Sequence, residues 1–437
     1  MEWWLALLFI FGGLMVLMAS GLPVAFAFLL INIVGISLFW GGQAALVQLT
    51  LSIYASLTNF ALLPVPMFFL MGEIMFQSGV AFSVIDALDK WLGRVHGRLS
   101  LLAVGSGTLL SVLTGVPMAS VALMGTVLVP EMEKRGYKKV MTLGPILGSG
   151  GLAMLIPPSG IAVLLAALAE LSVAKVLIGG IIPGLMLAAF FAVYIIIRCR
   201  LQPSLAPSYE VAPPPLRERV GSALKYIVPL GIIVFLVIGV MLLGIATPTE
   251  AAATGVLGCF ILAAFHKQLN WEVLKKSLLG TMKLTVMVLI IIAGSTAFSQ
   301  MLAFSGGSKG LVEVATGLPL SPIILIITMQ IVLLILGCFM ELLSIMMITI
   351  PIFFPIILGL GINPLWFGIL MLLNMEVGPI TPPFGLELFV MKGVVSANTT
   401  MGDIYRAAIP FILMDIWVLA LMLVFPAIAL WLPGIIN

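Results

Sequence analysis

The sequence predicts an all-α polytopic membrane protein built of two inverted structural repeats, each with a re-entrant helical hairpin and a broken helix. Three observations lead to this fold class. Of the 437 residues, 62% are hydrophobic and only 8% are charged, whereas soluble domains carry about 25% charge. Apolar runs of about 20 residues, the length that crosses a bilayer, recur along the whole chain. Glycine and proline positions also recur between its two halves.

The predicted membrane spans are separated by clusters of Pro, Gly or charged residues. Residues 1–20 lack a basic start and a small-residue cleavage site, so we expect a spanning helix there rather than a signal peptide. Residues 81–97 have mixed polarity and are expected to form an amphipathic helix along the cytoplasmic interface, with residues 42–57 on the opposite face. Spans are predicted at 2–20, 22–40, 60–78, 140–170, 174–198, 222–244, 248–265, 283–303, 364–391 and 406–431.

An internal duplication accounts for two further apolar stretches, 99–131 and 321–356, each interrupted near its middle. When the chain is shifted against itself by 225 residues, five Gly and Pro positions coincide within residues 113–160, where composition gives roughly one. A Pro-rich cytoplasmic linker, 200–221, therefore divides a first inverted repeat, 1–199, from a second, 222–437. The coinciding positions are Pro130, Gly136, Pro157, Pro158 and Gly160, which fall on Pro355, Gly361, Pro382, Pro383 and Gly385.

The positive charges decide how the two interrupted stretches are oriented. If both are hairpins that enter and leave on one side, 18 of the 20 Lys and Arg residues face the cytoplasm, all except Lys175 and Lys309. If both stretches cross the membrane fully, only 7 do. The first arrangement predicts ten crossings, both termini in the periplasm, and hairpins that open to opposite faces.

The breaks are the candidate sites, because irregular backbone inside a bilayer is tolerated only where it is buried in protein or lines a cavity. A Pro-Pro pair lacks two backbone donors and must interrupt a helix. Freed carbonyls and helix C-termini can ligate Na⁺, and helix N-termini can hold a carboxylate. The alternative, that Gly and Pro only kink packed helices, stays open. The four breaks are the hairpin tips 114–120 (with Ser120 or Thr114 as a helix cap) and 339–344, and the interruptions 148–160 and 374–385.

Acidic residues within the predicted spans are a second sign of a site, since each is costly in lipid unless it is paired or hydrated. Glu341 and Glu376 lie at predicted breaks, and Glu387 follows the second Pro-Pro pair. Glu73 and Asp415 are compatible with either a structural or a functional role. These acids form no evident proton relay, and hard oxygen donors suit a hard cation, so Na⁺ is expected ahead of H⁺ as the coupling ion.

Enzymatic and nucleic-acid-binding functions are not indicated. The net charge of +3 is small and the basic residues are scattered among loops, which argues against nucleic acid as a partner. Cys199, Cys259 and Cys338 stand singly in apolar surroundings and are expected to pack rather than to bind metal or form disulfides. His96 and His266 show no metal-ligand spacing, and the absence of a P-loop pattern argues against ATP drive within this chain.

Several motifs resemble the large membrane subunit of the tripartite ATP-independent periplasmic (TRAP) transporters. In order along the chain they are S-G-L-P-V-A-F-A at 20–27, P-E-M-E-K-R-G-Y at 130–137, I-P-P-S at 156–159, T-P-T-E-A-A-A at 247–253 and G-P-I-T-P-P-F-G-L-E-L-F-V at 378–390. The resemblance implies an elevator-type carrier of the ion-transporter superfamily driven by a Na⁺ gradient. It also implies a bacterial inner-membrane location, a small four-helix membrane subunit, a periplasmic substrate-binding protein, and organic-acid substrates such as C4-dicarboxylates.

The chain departs from the family pattern at side chains that could touch substrate. The first hairpin tip often reads S-G-S-S-x-A-D in the family; here Thr114 replaces the first Ser, Val116 replaces a hydroxyl residue, and Ser120 replaces the Asp. In the second half, Glu341 stands where the family often has Asp, and Glu387 where Asn is common. The resemblance therefore implies a smaller or less polar acid than sialic acid.

On this basis we expect Na⁺ at each hairpin tip where it meets the broken helix of its own half, and substrate between the two Pro-Pro regions. One half-bundle would carry the site across the membrane against a scaffold formed with the small subunit. The expected Na⁺ ligands are Thr114, Gly115, Ser149, Gly150, Gly151, Pro157, Met340, Asn374, Glu376, Gly378 and Thr381. The expected substrate contacts are Val116, Ser120, Ser159, Glu341, Ser344, Thr381, Phe384 and Glu387.

Other functions are compatible with parts of this pattern. A carrier of the same fold can work without a binding protein, as in the dicarboxylate and arsenite-type relatives. A channel or passive permease is disfavoured, because channels favour symmetric oligomers with a repeated pore motif. A membrane enzyme is disfavoured more strongly, since the sequence offers no nucleophile with a neighbouring base.

Overall fold

The computed structural model describes residues 2–39, 43–93, 95–114, 117–207 and 215–435, and this part of the chain forms helices and no strands. Within it, seven helices are long and apolar enough to cross a membrane, and an eighth span results if one bent helix pair counts as a single crossing. Shorter apolar helices accompany them. The prediction of an all-α polytopic fold is confirmed.

The helices before the midpoint linker are α1 (Trp3–Ala19), α2 (Val24–Phe39), α3 (Gln43–Leu57), α4 (Pro64–Gln77), α5 (Val80–Asp89), α6 (Arg98–Thr114), α7 (Pro117–Lys134), α8 (Lys139–Gly151), α9 (Gly160–Leu168), α10 (Val173–Gly179) and α11 (Ile181–Leu201). Those after it are α12 (Leu216–Ser222), α13 (Val228–Val234), α14 (Val240–Leu242), α15 (Pro248–Phe265), α16 (Trp271–Phe304), α17 (Gly307–Gly317), α18 (Pro322–Phe339), α19 (Leu342–Gly359), α20 (Pro364–Val377), α21 (Leu386–Val394), α22 (Met401–Val424) and α23 (Ala427–Leu430). Two π-helical segments join α12, α13 and α14 into one rod.

One succession of elements occurs in both halves. In the first, the consecutive helices α6 and α7 pack on each other and are followed by α8, an interruption and α9. In the second, α18 and α19 also pack together and are followed by α20, an interruption and α21. The opposite orientation of these two sets in the membrane, and the repeat boundaries, stay predictions.

The helices that lead into the two interruptions form the centre of the molecule. All residues of α8 from Met141 to Gly151 are buried, as are all residues of α20 from Trp366 to Val377. Peripheral helices such as α1 instead expose large apolar side chains, including Leu8, which suits contact with lipid. The first interruption, 152–159, also lies inside protein, where irregular backbone is tolerated, whereas the second reaches the surface at residues 383 and 384.

A pair of glycines seats α22 against α8. A Cβ atom on Gly144 would lie 2.5 Å from the carbonyl oxygen of Ala407, and a Cβ atom on Gly148 would lie 2.8 Å from Cγ of Phe411. The ring of Phe411 fills the notch that the two glycines leave. Because α8 belongs to the first half and α22 to the second, this notch joins the halves.

An ion pair joins the same two helices at their starts. Lys139 Nζ donates to Oδ2 of Asp403 at 2.8 Å and to the carbonyl oxygen of Asn398 at 3.0 Å. Asp403 is itself held in place by a capping box with Thr400, which begins α22. The pair therefore rests on a rigid helix start.

Helix α16 is longer than the predicted span 283–303. It runs over 34 residues, Trp271–Phe304, or about 51 Å. It begins early because Asn270 caps it, with Oδ1 accepting a hydrogen bond from the backbone N–H of Val273 at 2.9 Å. Lys283, predicted at the start of a span, therefore lies three turns inside the helix, about 18 Å from its first residue.

Two other predicted segments differ from the structure at their ends. The amphipathic helix expected at 81–97 is α5, which stops at Asp89 and bends by 68° from α4. Gly79 permits the bend because its φ of +75° is left-handed. The linker 200–221 is partly helical, since α11 reaches Leu201 and α12 starts at Leu216; residues 208–214 lie outside the described residues.

Candidate transport site

The first interruption begins later than predicted. Helix α8 continues through the glycine-rich stretch that starts at Gly148 and ends only at Gly151. A 3₁₀ turn, Leu152–Met154, and the non-helical residues 155–159 follow, and all of them are buried. The expectation that the helix breaks at Gly148 is wrong, because these glycines serve as contact points for neighbouring elements while remaining helical.

The first hairpin packs directly on the end of α8. A Cβ atom on Gly107 of α6 would lie 2.5 Å from Cβ of Ser149. The Ser149 hydroxyl donates to the carbonyl oxygens of Pro145, at 2.6 Å, and Ala103, at 3.2 Å. Its proton is thus shared between α8 and α6, while its oxygen lone pairs can still face a cation.

Pro157 and Ser159 lie within and at the end of this interruption. The Pro157–Pro158 peptide bond is cis. Ser159 Oγ accepts a hydrogen bond from the backbone N–H of Ala162 at 3.2 Å, so Ser159 caps α9. This cap gives Ser159 a structural role beside its expected contact with substrate.

The first hairpin tip joins α6 to α7. Gly115 and Val116 lie outside the described residues, and Thr114 is the last residue of α6. Helix α7 starts at Pro117, so Ser120 is its fourth residue and is buried. The expectation that Ser120 caps this helix is wrong, because proline at the first helical position begins the turn three residues earlier.

The second hairpin turns at Met340 and Glu341, as predicted. Both residues have extended backbone conformations, which separate α18 from α19. Ser344 Oγ donates to Oε1 of Glu341 at 3.3 Å. Phe384, after the second Pro-Pro pair, lies against Phe339 with ring centroids 5.4 Å apart, and both rings are exposed.

At the second interruption, the hairpin and the broken helix meet backbone to backbone. Helix α20 ends at Val377, and a 3₁₀ turn, Gly378–Ile380, follows. A Cβ atom on Gly378 would lie 2.6 Å from Cα of Gly337 in α18. Thr381 donates its hydroxyl proton to the carbonyl oxygen of Val377 at 2.7 Å.

A buried amide pair also links α18 with α20. Asn374 Nδ2 donates to the backbone carbonyl of Gln330 at 2.8 Å and to its Oε1 at 2.9 Å. The opposite atoms of the two amides, Asn374 Oδ1 and Gln330 Nε2, are buried without a protein partner. The unpaired Oδ1 of Asn374 is therefore available as a ligand for a cation.

Three acidic side chains are fully buried in this region: Glu376, Glu387 and Asp415. None of their six carboxyl oxygens has a hydrogen-bond partner in the described part of the chain. Asp415 and Glu387 lie close enough to Glu376 for their charges to interact. Unpaired carboxylates in a low-dielectric interior are costly, so this cluster favours a cation or protons beside it.

The two halves converge at these acids. A Cβ atom on Gly151 would lie 3.0 Å from Oε1 of Glu376, and one on Gly150 would lie 3.5 Å from Oε2 of Glu387. The same Cβ atom on Gly150 would lie 3.6 Å from the carbonyl oxygen of Pro117, the first residue of α7. The first half thus supplies bare backbone where the second half supplies carboxyl groups.

Asp415 is one of the two acids, with Glu73, whose role the sequence left undecided. It lies in α22, which is apolar around it, and α22 packs on α8 and α20. An acid in the middle of an apolar helix was the available signal. Its acidic neighbours were hidden, because Glu387 and Glu376 lie 28 and 39 residues away on other helices.

Comparison with known proteins identifies the family. The protein-family model described as tripartite ATP-independent periplasmic transporter, DctM component, matches residues 11–428. The C4-dicarboxylate TRAP transporter large permease protein DctM of Pseudomonas aeruginosa is 36% identical over 390 residues, 89% of each chain. The protein of the same name in Rhodobacter capsulatus is 34% identical, covering 98% of this chain and 99% of its own length.

Solved structures show the same fold at low sequence identity. The YdaH transporter of Alcanivorax borkumensis has a TM-score of 0.60 at 16% identity, with 90% of this chain and 89% of that chain covered. MtrF of Neisseria gonorrhoeae has a TM-score of 0.62 at 16% identity, with 88% and 85% covered. The chain is a multi-pass membrane permease and not an enzyme, as its sequence predicted. It belongs to the DctM component family of the tripartite ATP-independent periplasmic transporters.

Proposed function

We propose that this chain carries out Na⁺-coupled secondary active uptake of an organic acid through a bacterial inner membrane. A periplasmic binding protein delivers the substrate, and a small four-helix membrane subunit completes the scaffold. One part of the chain moves as an elevator and exposes the site alternately to each side.

The observation that carries this proposal is the arrangement at the two interruptions. In each half, the hairpin lies against the broken helix at close backbone distance, through Gly107 and Ser149 in the first and Gly337 and Gly378 in the second. The first interruption is buried throughout, whereas the second is buried at residues 378–380 and 385 and reaches the surface at residues 383 and 384. Helix ends buried in this way have carbonyl oxygens without helical partners, and such oxygens are the ligands that Na⁺ prefers.

The names of relatives support a small organic anion or zwitterion as cargo. Two of the relatives are named for C4-dicarboxylates. Another, from Halomonas elongata, is named for ectoine and is 29% identical over 95% of this chain. We extend to this chain only the shared feature, a compact substrate with an acidic group.

Proton coupling is the second candidate, and one observation favours it. The six carboxyl oxygens of Glu376, Glu387 and Asp415 have no partner in the described residues. Protons could neutralise them as well as a metal cation does. Coupling by Na⁺ remains our first choice because unpaired carbonyl and amide oxygens, as in Asn374, adjoin the same interruption.

The test is uptake into proteoliposomes that contain the chain, its small subunit and the binding protein. We expect accumulation that follows an inward Na⁺ gradient and is unaffected by a pH gradient alone. If a pH gradient drives accumulation in the absence of Na⁺, the coupling ion is H⁺ rather than Na⁺. Equal uptake without the binding protein would indicate a stand-alone carrier, and absence of counterflow would indicate a channel.

A further inference from the structure

A cavity of about 290 Å³ lies between the C-terminal end of α9, the last third of α16, and α19. Its volume is close to the lower limit for small-molecule sites. On α9 it is lined by Glu170, ten residues or about 15 Å after the helix start. On α19 it begins at Ile350, nine residues or about 14 Å after the hairpin turn at Glu341. The cavity is therefore separate from the candidate transport site.

Glu170 has both an unfavourable backbone conformation and an unfavourable charge for its position. Its φ of +54° is left-handed, and among the non-glycine residues that the structure describes only Lys267 shares this conformation. It follows the last turn of α9, where glycine is usual. A carboxylate there also meets the negative end of the helix dipole. No ion pair among the described residues includes Glu170, whose side chain is exposed at the mouth of the cavity. Strain that no local partner explains points to a function.

The end of α9 adds backbone carbonyl groups that have no partner. The carbonyl oxygens of residues 165–167 accept hydrogen bonds from the N–H groups of residues 169–171. Leu168 and Ala169 both line the cavity, and the carbonyl oxygen of neither accepts a hydrogen bond within the described chain. Such terminal carbonyls carry partial negative charge. This wall of the cavity therefore attracts a positive group.

Helix α16 contributes three hydroxyl groups to the same cavity. Ser295, Thr296 and Ser299 line it, and none of them forms a hydrogen bond with another described residue. Helical hydroxyls commonly donate to the carbonyl four residues earlier, as Thr281 of the same helix does to Ser277 at 2.8 Å. Ser295 is only 3% exposed, so a ligand in the cavity is the partner that its hydroxyl can meet.

Helix α19 forms an apolar wall. Ile350, Phe354 and Leu358 recur at a spacing of four and so share one face of the helix. The ring of Phe354 is held edge-on by Phe367, with ring centroids 5.6 Å apart. No basic residue is among the described residues that line the cavity. The cavity thus combines an oxygen-rich, negative side with an apolar side.

These walls select an organic cation. A primary ammonium group has three donors, which match the carboxylate of Glu170, the hydroxyl oxygens of α16 and the free carbonyls of α9. Its apolar body can lie against Phe354. An anionic ligand would place its charge against Glu170 and the helix dipole, which is unfavourable. A bare Ca²⁺ ion needs about six to eight oxygen ligands at short distance, whereas these oxygens stand on separate walls.

We infer that this cavity binds a primary organic ammonium ion with a small apolar body, with Glu170 holding the ammonium group. The inference goes beyond the proposed function, because the ligand is a cation and the cavity lies apart from both interruptions. A free amine and the headgroup of phosphatidylethanolamine share this ammonium chemistry. Binding requires no ion gradient, so uptake that proved independent of Na⁺ would refute only the coupling ion.

The test is equilibrium binding of radiolabelled 2-phenylethylamine, an ammonium ion at neutral pH, to the full chain. The chain is purified with its small subunit in phosphatidylcholine nanodiscs, and empty nanodiscs give the baseline. We expect saturable binding that 2-phenylethanol and 3-phenylpropionate displace at least tenfold less well than unlabelled amine does. Glu170→Gln should weaken binding about tenfold or more, because charge-assisted hydrogen bonds are lost. Glu170→Gly should weaken it as much while raising the unfolding temperature, since glycine adopts a left-handed backbone without strain.

Ser295→Ala should weaken amine binding about threefold or more, because it removes a hydroxyl that lines the cavity. Its matched control is Ser277→Ala, which changes another buried serine of α16 whose hydroxyl has no partner in the described chain but lies outside the cavity. This control should leave binding unchanged. Equal binding by Glu170→Gln and the original chain would overturn the inference, as would equal displacement by 2-phenylethanol.

Added lipids distinguish the two sources of the ammonium group. Competition by phosphatidylethanolamine but not by phosphatidylglycerol would support the inference with a lipid headgroup as the ligand. Amine binding that neither lipid affects would support it with a free amine as the ligand. Equal competition by both lipids would show that the bilayer rather than Glu170 controls binding, and it would overturn the inference.

Discussion

The two helix interruptions share a layout but differ in the chemistry around them. The first is flanked by Gly150 and Gly151, and the hydroxyl of the neighbouring Ser149 already donates to two carbonyl groups. The second carries Glu376 and Glu387, whose carboxyl oxygens are buried without partners in the described chain. The comparison teaches that the halves contribute different things to one site: the first supplies room and bare backbone, and the second supplies charge.

The contact between hairpin and broken helix also differs between the halves. At Gly107, the neighbour that limits space is the Ser149 side chain, whereas at Gly378 it is the backbone of Gly337. A side chain can be shortened by mutation, but a backbone cannot. The second contact should therefore be the less forgiving of the two.

The largest expected effect is that of Gly378→Ala. Its new Cβ atom would lie 2.6 Å from Cα of Gly337, and overpacking of this kind costs about 1–3 kcal/mol or more. We expect loss of uptake and a lower unfolding temperature, measured on the purified complex by intrinsic fluorescence. Gly107→Ala should also be harmful, but the added change Ser149→Gly should partly restore it.

The control for these variants is Gly393→Ala in α21, where nothing lies within 4 Å of the new Cβ atom. It should leave uptake unchanged. If Gly378→Ala behaved like Gly393→Ala, the backbone contact between α18 and α20 would be refuted.

An intermediate effect is expected from neutralising the second-half acids. Glu376→Gln and Glu387→Gln should each reduce ion-driven uptake about tenfold, or about 1.4 kcal/mol, while the unfolding temperature stays level or rises because an unpaired charge is removed. Ser149→Ala should reduce uptake less than about threefold. The measurement is initial uptake rate against Na⁺ concentration.

Glu313→Gln provides the control, because Glu313 is exposed on α17 and pairs only weakly with Lys309 at 3.8 Å. Its uptake should match that of the unmodified chain. A greater loss of uptake from Ser149→Ala than from Glu376→Gln would contradict the conclusion that the second half supplies the charged groups of the site.

The smallest effect is expected at the helix starts that follow the interruptions. Ser159→Ala removes the side-chain cap of α9 and should cost about 1 kcal/mol, or about 2 °C in unfolding temperature. The N-cap position of α21 is occupied by Gly385, which has no side chain to cap the helix, so the second half has no equivalent cap to lose. Ser159→Gly should cost only a few tenths of a kcal/mol.

Ser172→Ala, which removes a longer and exposed cap on α10, is the matched comparison and should shift the unfolding temperature less than Ser159→Ala does. The opposite order would show that burial does not strengthen the Ser159 cap.

Much of the fold could be predicted, because the signals were local. The Pro157-Pro158 and Pro382-Pro383 pairs each remove two adjacent backbone donors, which predicted an interruption of both helices. The turn at Met340 and Glu341, without Gly or Pro, was predicted from the repeat alone. These elements depend on residues that are adjacent in sequence.

The remainder depended on packing between distant elements. Gly148 does not break its helix, because the Phe411 ring occupies the space that a side chain would take. The sequence predicted a span that starts at Lys283, because the apolar run begins there. In the structure Asn270 caps the helix, which therefore begins twelve residues earlier, at Trp271. Asp415 gains its acidic neighbours only when α22 is packed on α20, which carries Glu376, and on α21, which carries Glu387.

The seating of Phe411 between Gly144 and Gly148, together with the Lys139–Asp403 pair, has a mechanical consequence. A ring in a notch resists sliding, and an ion pair at the helix starts resists hinging. With both in place, we expect α8 and α22 to move together rather than to slide past each other. Any movement of one half of the chain should then be passed to the other through this pair of helices.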